Sequence, residues 1–241
     1  MKVFFYIILF LSYSSFSQEI NKIDTNGKRH GEWKGYYEKS KNLRYEGFFE
    51  HGVEIGVFKY YTDSKSKQLM ATRDFSKGSG SCYTVFYNGK FKVSEGDLVN
   101  KKPEGLWKYY HLNSDKIMTL ENYKNGKLEG EKNVYYNNGQ LAEKSFYKNG
   151  LLEGVYTKYA ENGKLIEEST YKKGELNGKA SFYDGEGNLL VKGEYKRNKK
   201  VGMWETYENG KLVKTEPAEK FAGKSFKLDN PNELKYNDSK E

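Results

Sequence analysis

From Gly31 onward the chain alternates short apolar and aromatic runs with charged ones, and the runs return at a near-constant interval. A segment such as Gly154-Val-Tyr-Thr-Lys-Tyr159 opens on glycine and is rich in aromatic and β-branched residues, the pattern of a strand. Asn-Gly or a near relative follows, as in Asn137-Asn138-Gly139, Glu161-Asn162-Gly163 and Glu208-Asn209-Gly210. Asn-Gly readily supplies the positive φ of a tight primed turn. The return run, Leu165-Ile-Glu-Glu-Ser-Thr-Tyr171, spaces its Leu and Tyr by an even number, so both point to one strand face. A second glycine connection, Tyr147-Lys-Asn-Gly150 or Tyr171-Lys-Lys-Gly174, then leads into the next copy. Each unit predicts a β-hairpin.

Aligned on glycine, the copies open at Gly31, Gly56, Gly80, Gly105, Gly130, Gly154, Gly178 and Gly202, at steps of 24 or 25 residues. Five residues after each stand Tyr36, Tyr61, Val85, Tyr110, Tyr135, Tyr159, Tyr183 and Tyr207, tyrosine in seven of eight. Two residues after the glycine, Trp33, Phe58, Trp107, Tyr156 and Trp204 form a second aromatic column. A third pairing recurs as Leu43/Phe49, Leu69/Phe75, Ile117/Tyr123, Leu141/Tyr147, Leu165/Tyr171 and Leu189/Tyr195. The copy between Gly80 and Gly105 reads as degenerate, with Lys92 and Leu98 in those slots.

A lone hairpin is marginal in water, so the copies must join or stack to bury these columns. The fold class expected is all-β, an elongated antiparallel β-hairpin array over residues 31–214, with 18–30 as lead-in. Regular glycines and strand-forming aromatics oppose a helical reading. Residues 215–241 are polar and lie outside the repeat, a partly disordered tail or a cap strand. Before the repeats, Lys2, the apolar run Val3 to Leu11 and small residues up to Ser17 have the parts of a secretory signal peptide. Cleavage near Ser17 would export the mature chain to the periplasm, the cell surface or the medium. An uncleaved anchor is the alternative, although the run is short of the ~20 apolar residues that span a bilayer.

The offset-two aromatics have opposite parity to the offset-five tyrosines. In a flat strand they would occupy the other face, and Trp33, Phe58, Trp107, Tyr156 and Trp204 would be a partner-binding strip. Bulges or twist could instead bury both faces.

The 241 residues carry 41 Lys+Arg against 33 Asp+Glu, a net charge of +8. Lysines are spread over every copy, as on edges and loops kept soluble, and no nucleic-acid partner is expected. One cluster, Lys196, Arg197, Lys199 and Lys200, is a candidate contact for anionic lipid or glycan. A single cysteine, Cys82, forms no internal disulfide, and in an oxidising compartment it is either buried and inert or open to intermolecular pairing. His30, His51 and His111 lie in different copies without metal-ligand spacing. Glu104, Glu129 and Glu153 each precede glycine and could imitate paired glycosidase carboxylates, but their recurrence at the period argues for a turn role. Gly185-Glu-Gly187 and Gly223-Lys-Ser225 fail the spacing of nucleotide loops. No catalytic, metal or cofactor set emerges.

The unit glycine-x-aromatic-x-x-tyrosine, Asn-Gly turn, Leu-x5-Tyr, Lys-Asn-Gly resembles the MORN-repeat variant of many bacterial proteins. Tyr123-Lys-Asn-Gly-Lys-Leu-Glu-Gly130 and Tyr147-Lys-Asn-Gly-Leu-Leu-Glu-Gly154 carry the likeness most clearly, within a span from Gly27 to Leu212. The whole is similar to the YwqK-family antitoxin group. That resemblance implies a hairpin array with a non-catalytic, protein-binding or lipid-associated role. The expectation is a non-enzymatic repeat protein that binds an unidentified protein as scaffold or neutralising partner. Attachment to envelope lipid or glycan is the second reading, and a hydrolase site assembled across repeats the third.

Overall fold

The computed structural model describes residues 19–78 and 80–220, so the leader at 1–17 and the last part of the tail lie outside the described residues. Those residues form strands and turns without a helix, and the chain divides into two units. In the first, Met1–Lys127, the strands are β1 (Lys22–Ile23), β2 (Arg29–Tyr36), β3 (Leu43–Glu50), β4 (Val53–Tyr61), β5 (Leu69–Asp74), β6 (Ser81–Asn88), β7 (Phe91–Val99), β8 (Lys102–Tyr110) and β9 (Ile117–Lys124). Each pairs antiparallel with the next in chain order. The second, Leu128–Glu241, follows the same plan through β10 (Lys127–Tyr135), β11 (Leu141–Lys148), β12 (Leu151–Leu152), β13 (Gly154–Tyr159), β14 (Leu165–Lys172), β15 (Glu175–Tyr183), β16 (Leu189–Lys196), β17 (Lys199–Glu208) and β18 (Lys211–Pro217). Here β11 pairs with both β12 and β13, because the strand is interrupted at Glu153. The all-β hairpin array is therefore present in both units. Its limits are wider than 31–214: β1 lies in the lead-in, and β18 runs into the tail as far as Pro217.

One bulge marks the column tyrosine of every copy, and a second recurs at several of the repeat glycines. The ladder slips immediately before the column tyrosine, at Gly35/Tyr36, Tyr60/Tyr61, Phe86/Tyr87, Tyr109/Tyr110, Val134/Tyr135, Lys158/Tyr159, Phe182/Tyr183 and Thr206/Tyr207. A second slip falls opposite the repeat glycine in β3–β4, β7–β8, β14–β15 and β16–β17. Gly56, Gly105, Gly178 and Gly202 there have φ of 62°, 67°, 128° and 68°, values a side chain resists.

These slips correct the alignment of the third copy. Its bulge stands before Tyr87, not Val85, and Cys82 pairs with Leu98 as Gly31 pairs with Phe49. Gly80 accepts a backbone bond from Asn100, the part played by Pro103 towards Gly126. Cys82 thus fills the glycine slot, Thr84 the offset-two slot, and tyrosine holds the offset-five slot in all eight copies. Without its glycine, the β5–β6 ladder runs unbulged.

The two kinds of turn are also exchanged relative to expectation. Asn138-Gly139 and Asn162-Gly163 belong to three-residue loops closed by Tyr136 with Gln140 and Ala160 with Lys164, with only the glycine at positive φ. Their asparagines donate onward to the loop one copy later, Asn138 Nδ2 to Glu161 O at 3.3 Å and Asn162 Nδ2 to Gly185 O at 2.9 Å. The two-residue primed turns are the connections between copies, where both residues have positive φ: His51-Gly52, Asn149-Gly150, Lys173-Gly174 and Arg197-Asn198. Asn209-Gly210 is of this kind too.

The core is one row of directly opposed residues crossing the strands. In unit 2 it reads Tyr156, Ser169, Ala180, Gly193, and in unit 1 Trp33 faces Gly47 and Thr84 faces Gly96. Phe58, Trp107 and Trp204 lie flat on Gly47, Gly96 and Gly193, so close that a Cβ there would meet ring atoms at 2.5, 2.5 and 2.3 Å. Phe49 and Phe75 pack edge-on against Phe58 at 5.2 and 5.5 Å, with Cys82 completing the cluster. A methyl group inserted beneath such a ring forces the kind of overpacking that costs about 1–3 kcal/mol. Gly96→Ala is expected to lower unit 1 stability by that amount in urea unfolding; an unchanged midpoint would show that the ring is not pinned by the glycine.

Candidate functional site

The offset-two column is core, which corrects its reading as a partner-binding strip. Phe58, Trp107 and Trp204 are 1%, 4% and 1% exposed, and Trp33 and Tyr156 are half-buried. The column tyrosines do lie on the other face, where Tyr61 and Tyr110 reach Glu46 and Glu95, but the offset-two face is the covered one, because Gly47, Gly96 and Gly193 on the neighbouring strands leave space for its rings.

The basic cluster is divided between a turn and a ring contact. Lys196, Arg197 and Lys199 are exposed around the Arg197-Asn198 turn, while Lys200 Nζ sits 4.7 Å over the Trp204 ring. Burial there pushes the Lys200 ammonium below its usual range.

The repeated glutamates have the turn role expected of them. Glu104, Glu129 and Glu153 accept the backbone N–H of Asn125, Asn149 and Lys173 at 2.7, 2.7 and 2.8 Å, each capping the primed turn of the next hairpin. Gly185 and Gly187 lie in a three-residue loop whose Asp184 accepts from Glu186 N and Asn188 N. Cys82 is buried, its Sγ 3.4 Å from Thr84 Oγ1, in agreement with an inert thiol.

The histidines are closer than their spacing suggests. His30 and His51 stack with centroids 4.9 Å apart, and His51 Nδ1 lies 2.7 Å from Asp24 Oδ2. Asp24 Oδ1 also accepts from Asn26 N and Lys28 N, so the carboxylate closes the first loop. The His51 hydrogen bond first, then that from Lys28, holds the Asp24 carboxyl down at about 2. Among the described residues no three His, Cys, Asp or Glu side chains converge as a metal cluster.

Two surfaces were missed by sequence reasoning. On the face away from the rings, Phe48 pairs with Ile55, and Val57 lies nearby; they are 45%, 37% and 50% exposed. The signal was the doublet Phe48-Phe49, since adjacent strand residues point to opposite faces. Beside them this face carries opposed charges in register, Lys34–Glu46–Lys59; Lys108–Glu95 further along unit 1 and, within unit 2, Lys192–Glu205 repeat the pairing. On the ring face, a groove of about 610 Å³ is lined by Arg29, Arg44 and Arg73 with Tyr37, Tyr45 and Tyr60. Its signal was departure from the repeat: Arg73 stands in the slot held elsewhere by Gly47, Gly96, Glu121, Ser145, Ser169, Gly193 and Glu216, where it is the one cation.

Fold and turns together define an antiparallel β-hairpin repeat array. The MORN repeat variant family matches residues 128–149, 152–173 and 176–197, three consecutive copies in unit 2. No curated protein matches the chain. Among solved structures, TarM is 14% identical, with a TM-score of 0.29 over 39% of this chain and 20% of its own, so the chain spans about one fifth of TarM's length. A Bacteroides fragilis protein of unknown function is 11% identical, with a TM-score of 0.13 over 80% of this chain and 94% of its own.

Two outcomes are expected. Glu129→Ala should cost about 0.5–1.5 kcal/mol in thermal or urea unfolding, the value of one hydrogen bond, and a neutral result would remove the carboxylate from the turn's stability. Asp24 has a folded pKa near 2, below its ordinary value of 3.8, so its contribution is present above about pH 4 and is lost as pH falls towards 2. The carboxyl carbon resonance of Asp24 should titrate near 2 and move up in His51→Ala; a midpoint near 3.8 in the unaltered chain would refute the lock.

Proposed function

We propose that this is an exported, non-enzymatic repeat scaffold that binds another protein through the face opposite its aromatic rings. The observation that carries the reading is the Phe48, Ile55 and Val57 patch, apolar and exposed on strands whose own core lies on the other side. An apolar patch with a rim of both charge signs has the make-up of a protein interface. The alternating Lys and Glu also speak for protein over an anionic lipid surface, because they create no continuous positive field. Lys200 packed on Trp204 leaves the basic cluster a single turn. Likeness to the YwqK-family antitoxin group supports a neutralising partner as one form of this role, and the leader-like sequence up to Ser17 supports export.

The test is affinity capture from envelope and secreted fractions with residues 18–241, beside the variant Phe48→Glu/Val57→Glu. A protein retained near equal stoichiometry by the unaltered chain, and at least tenfold less by the variant, is the expected result. Retention that ignores the substitutions, or of lipid or wall material alone that is lost in raised salt, would overturn the reading.

A further inference from the structure

We propose that the ring face of unit 1 holds a binding site for a small dianionic ligand, a phosphate monoester or a dicarboxylate, gripped by Arg29, Arg44 and Arg73. The chain's 41 Lys+Arg include only four arginines, and three of them line this one groove. Guanidinium is the group that binds oxyanions through paired, planar hydrogen bonds.

Each guanidinium is held against a ring. Arg29 Cζ lies 4.9 Å from the Trp33 centroid and 5.1 Å from that of Phe49, Arg44 Cζ 5.8 Å from Tyr37, and Arg73 Cζ 5.1 Å from Tyr60. Stacking leaves the N–H edges free while restricting the long side chains, so less ordering remains to be done on binding. Arg44 is aimed by the fold itself: Tyr36 pairs with Leu43 and Gly35 with Tyr45, which makes Arg44 the extra residue of the bulge.

The charges are uncompensated. None of the three arginines forms an ion pair with a carboxylate among the described residues, and one carboxylate, Glu54, lines the groove. Three positive charges against one negative leave a net excess of two, which a dianion matches. Arg73 Nε is buried and has no hydrogen-bond acceptor, a donor in a polar groove with its partner missing. The tyrosine hydroxyls add polar contacts; Tyr45 already accepts from Arg29 Nη1 at 3.4 Å. The volume of about 610 Å³ is that of a small-molecule pocket. The groove is on the ring face and the Phe48 patch on the other, so this site does not rest on the protein-binding reading.

The experiment is isothermal titration of residues 18–241 with phenyl phosphate, phthalate and neutral benzyl alcohol. Saturable one-to-one binding of at least one dianion, with benzyl alcohol silent, is expected. Preference between phenyl phosphate and phthalate names the ester or the dicarboxylate as the class. Arg44→Gln, an exposed position that leaves the strands intact, should weaken binding at least tenfold, as should Arg29→Gln and Arg73→Met. No saturable binding of either dianion, equal binding of the neutral alcohol, or undiminished binding in Arg44→Gln would overturn the proposal.

Discussion

A ring that lies flat on the neighbouring strand allows no Cβ beneath it, and the rest of the structure is arranged around that condition. Phe58 over Gly47, Trp107 over Gly96 and Trp204 over Gly193 each join the return strand of one hairpin to the opening strand of the next. Burying a large aromatic ring is worth several kcal/mol, whereas exposed cross-strand ion pairs contribute little. The contact between copies therefore lies on the ring face, and a hairpin without neighbours would lose most of its core. Where no large ring follows, the condition lapses, and the slot holds Ser169 facing Ala180 or Arg73 facing Thr84.

The bulges leave the two faces of the sheet distinct. In the slip before each tyrosine the extra residue lies on the return strand, as Arg44 does opposite Gly35 and Tyr36, so the tyrosine stays on the face away from the offset-two rings. On that face Tyr61 and Tyr110 donate to Glu46 and Glu95 of the preceding strand, and burial followed by that bond pushes the Tyr61 hydroxyl up to about 12. Cys82 shows what the glycine is for. With a side chain in that slot, the β5–β6 ladder loses its bulge and the chain takes up the difference in the connection after Phe75.

The hairpin period, the capping glutamates and the burial of Cys82 were legible in the sequence because each depends on local chemistry: turn formers, a carboxylate beside a turn, a small apolar side chain. The bulges were not, because a bulge is a relation between two strands and leaves no mark on either alone. From that one blindness came the two-residue slip at Gly80 and the exchange of turn types, whereas the packing of Trp33, Phe58, Trp107, Tyr156 and Trp204 was missed because parity separates two faces without saying which one is covered. The groove was hidden for another reason. Arg29, Arg44 and Arg73 fall at unrelated positions of the period and meet only when three hairpins are laid side by side.

Repetition and function therefore separate in this chain. Residues that recur, the glycines, tyrosines and capping glutamates, are consumed by the requirements of a bulged sheet, and substituting them tests folding. A ligand site needs side chains the lattice of repeats does not already use. Arg73 faces Phe58 on one side and Thr84 on the other, so no ring of the next copy demands glycine there and the position is open to other chemistry. A guanidinium there leaves a buried donor without an acceptor. Such a cost is kept in a structure built by copying only where the departure has a use, so the positions that break the repeat, rather than those that define it, are where the chemistry of this protein lies.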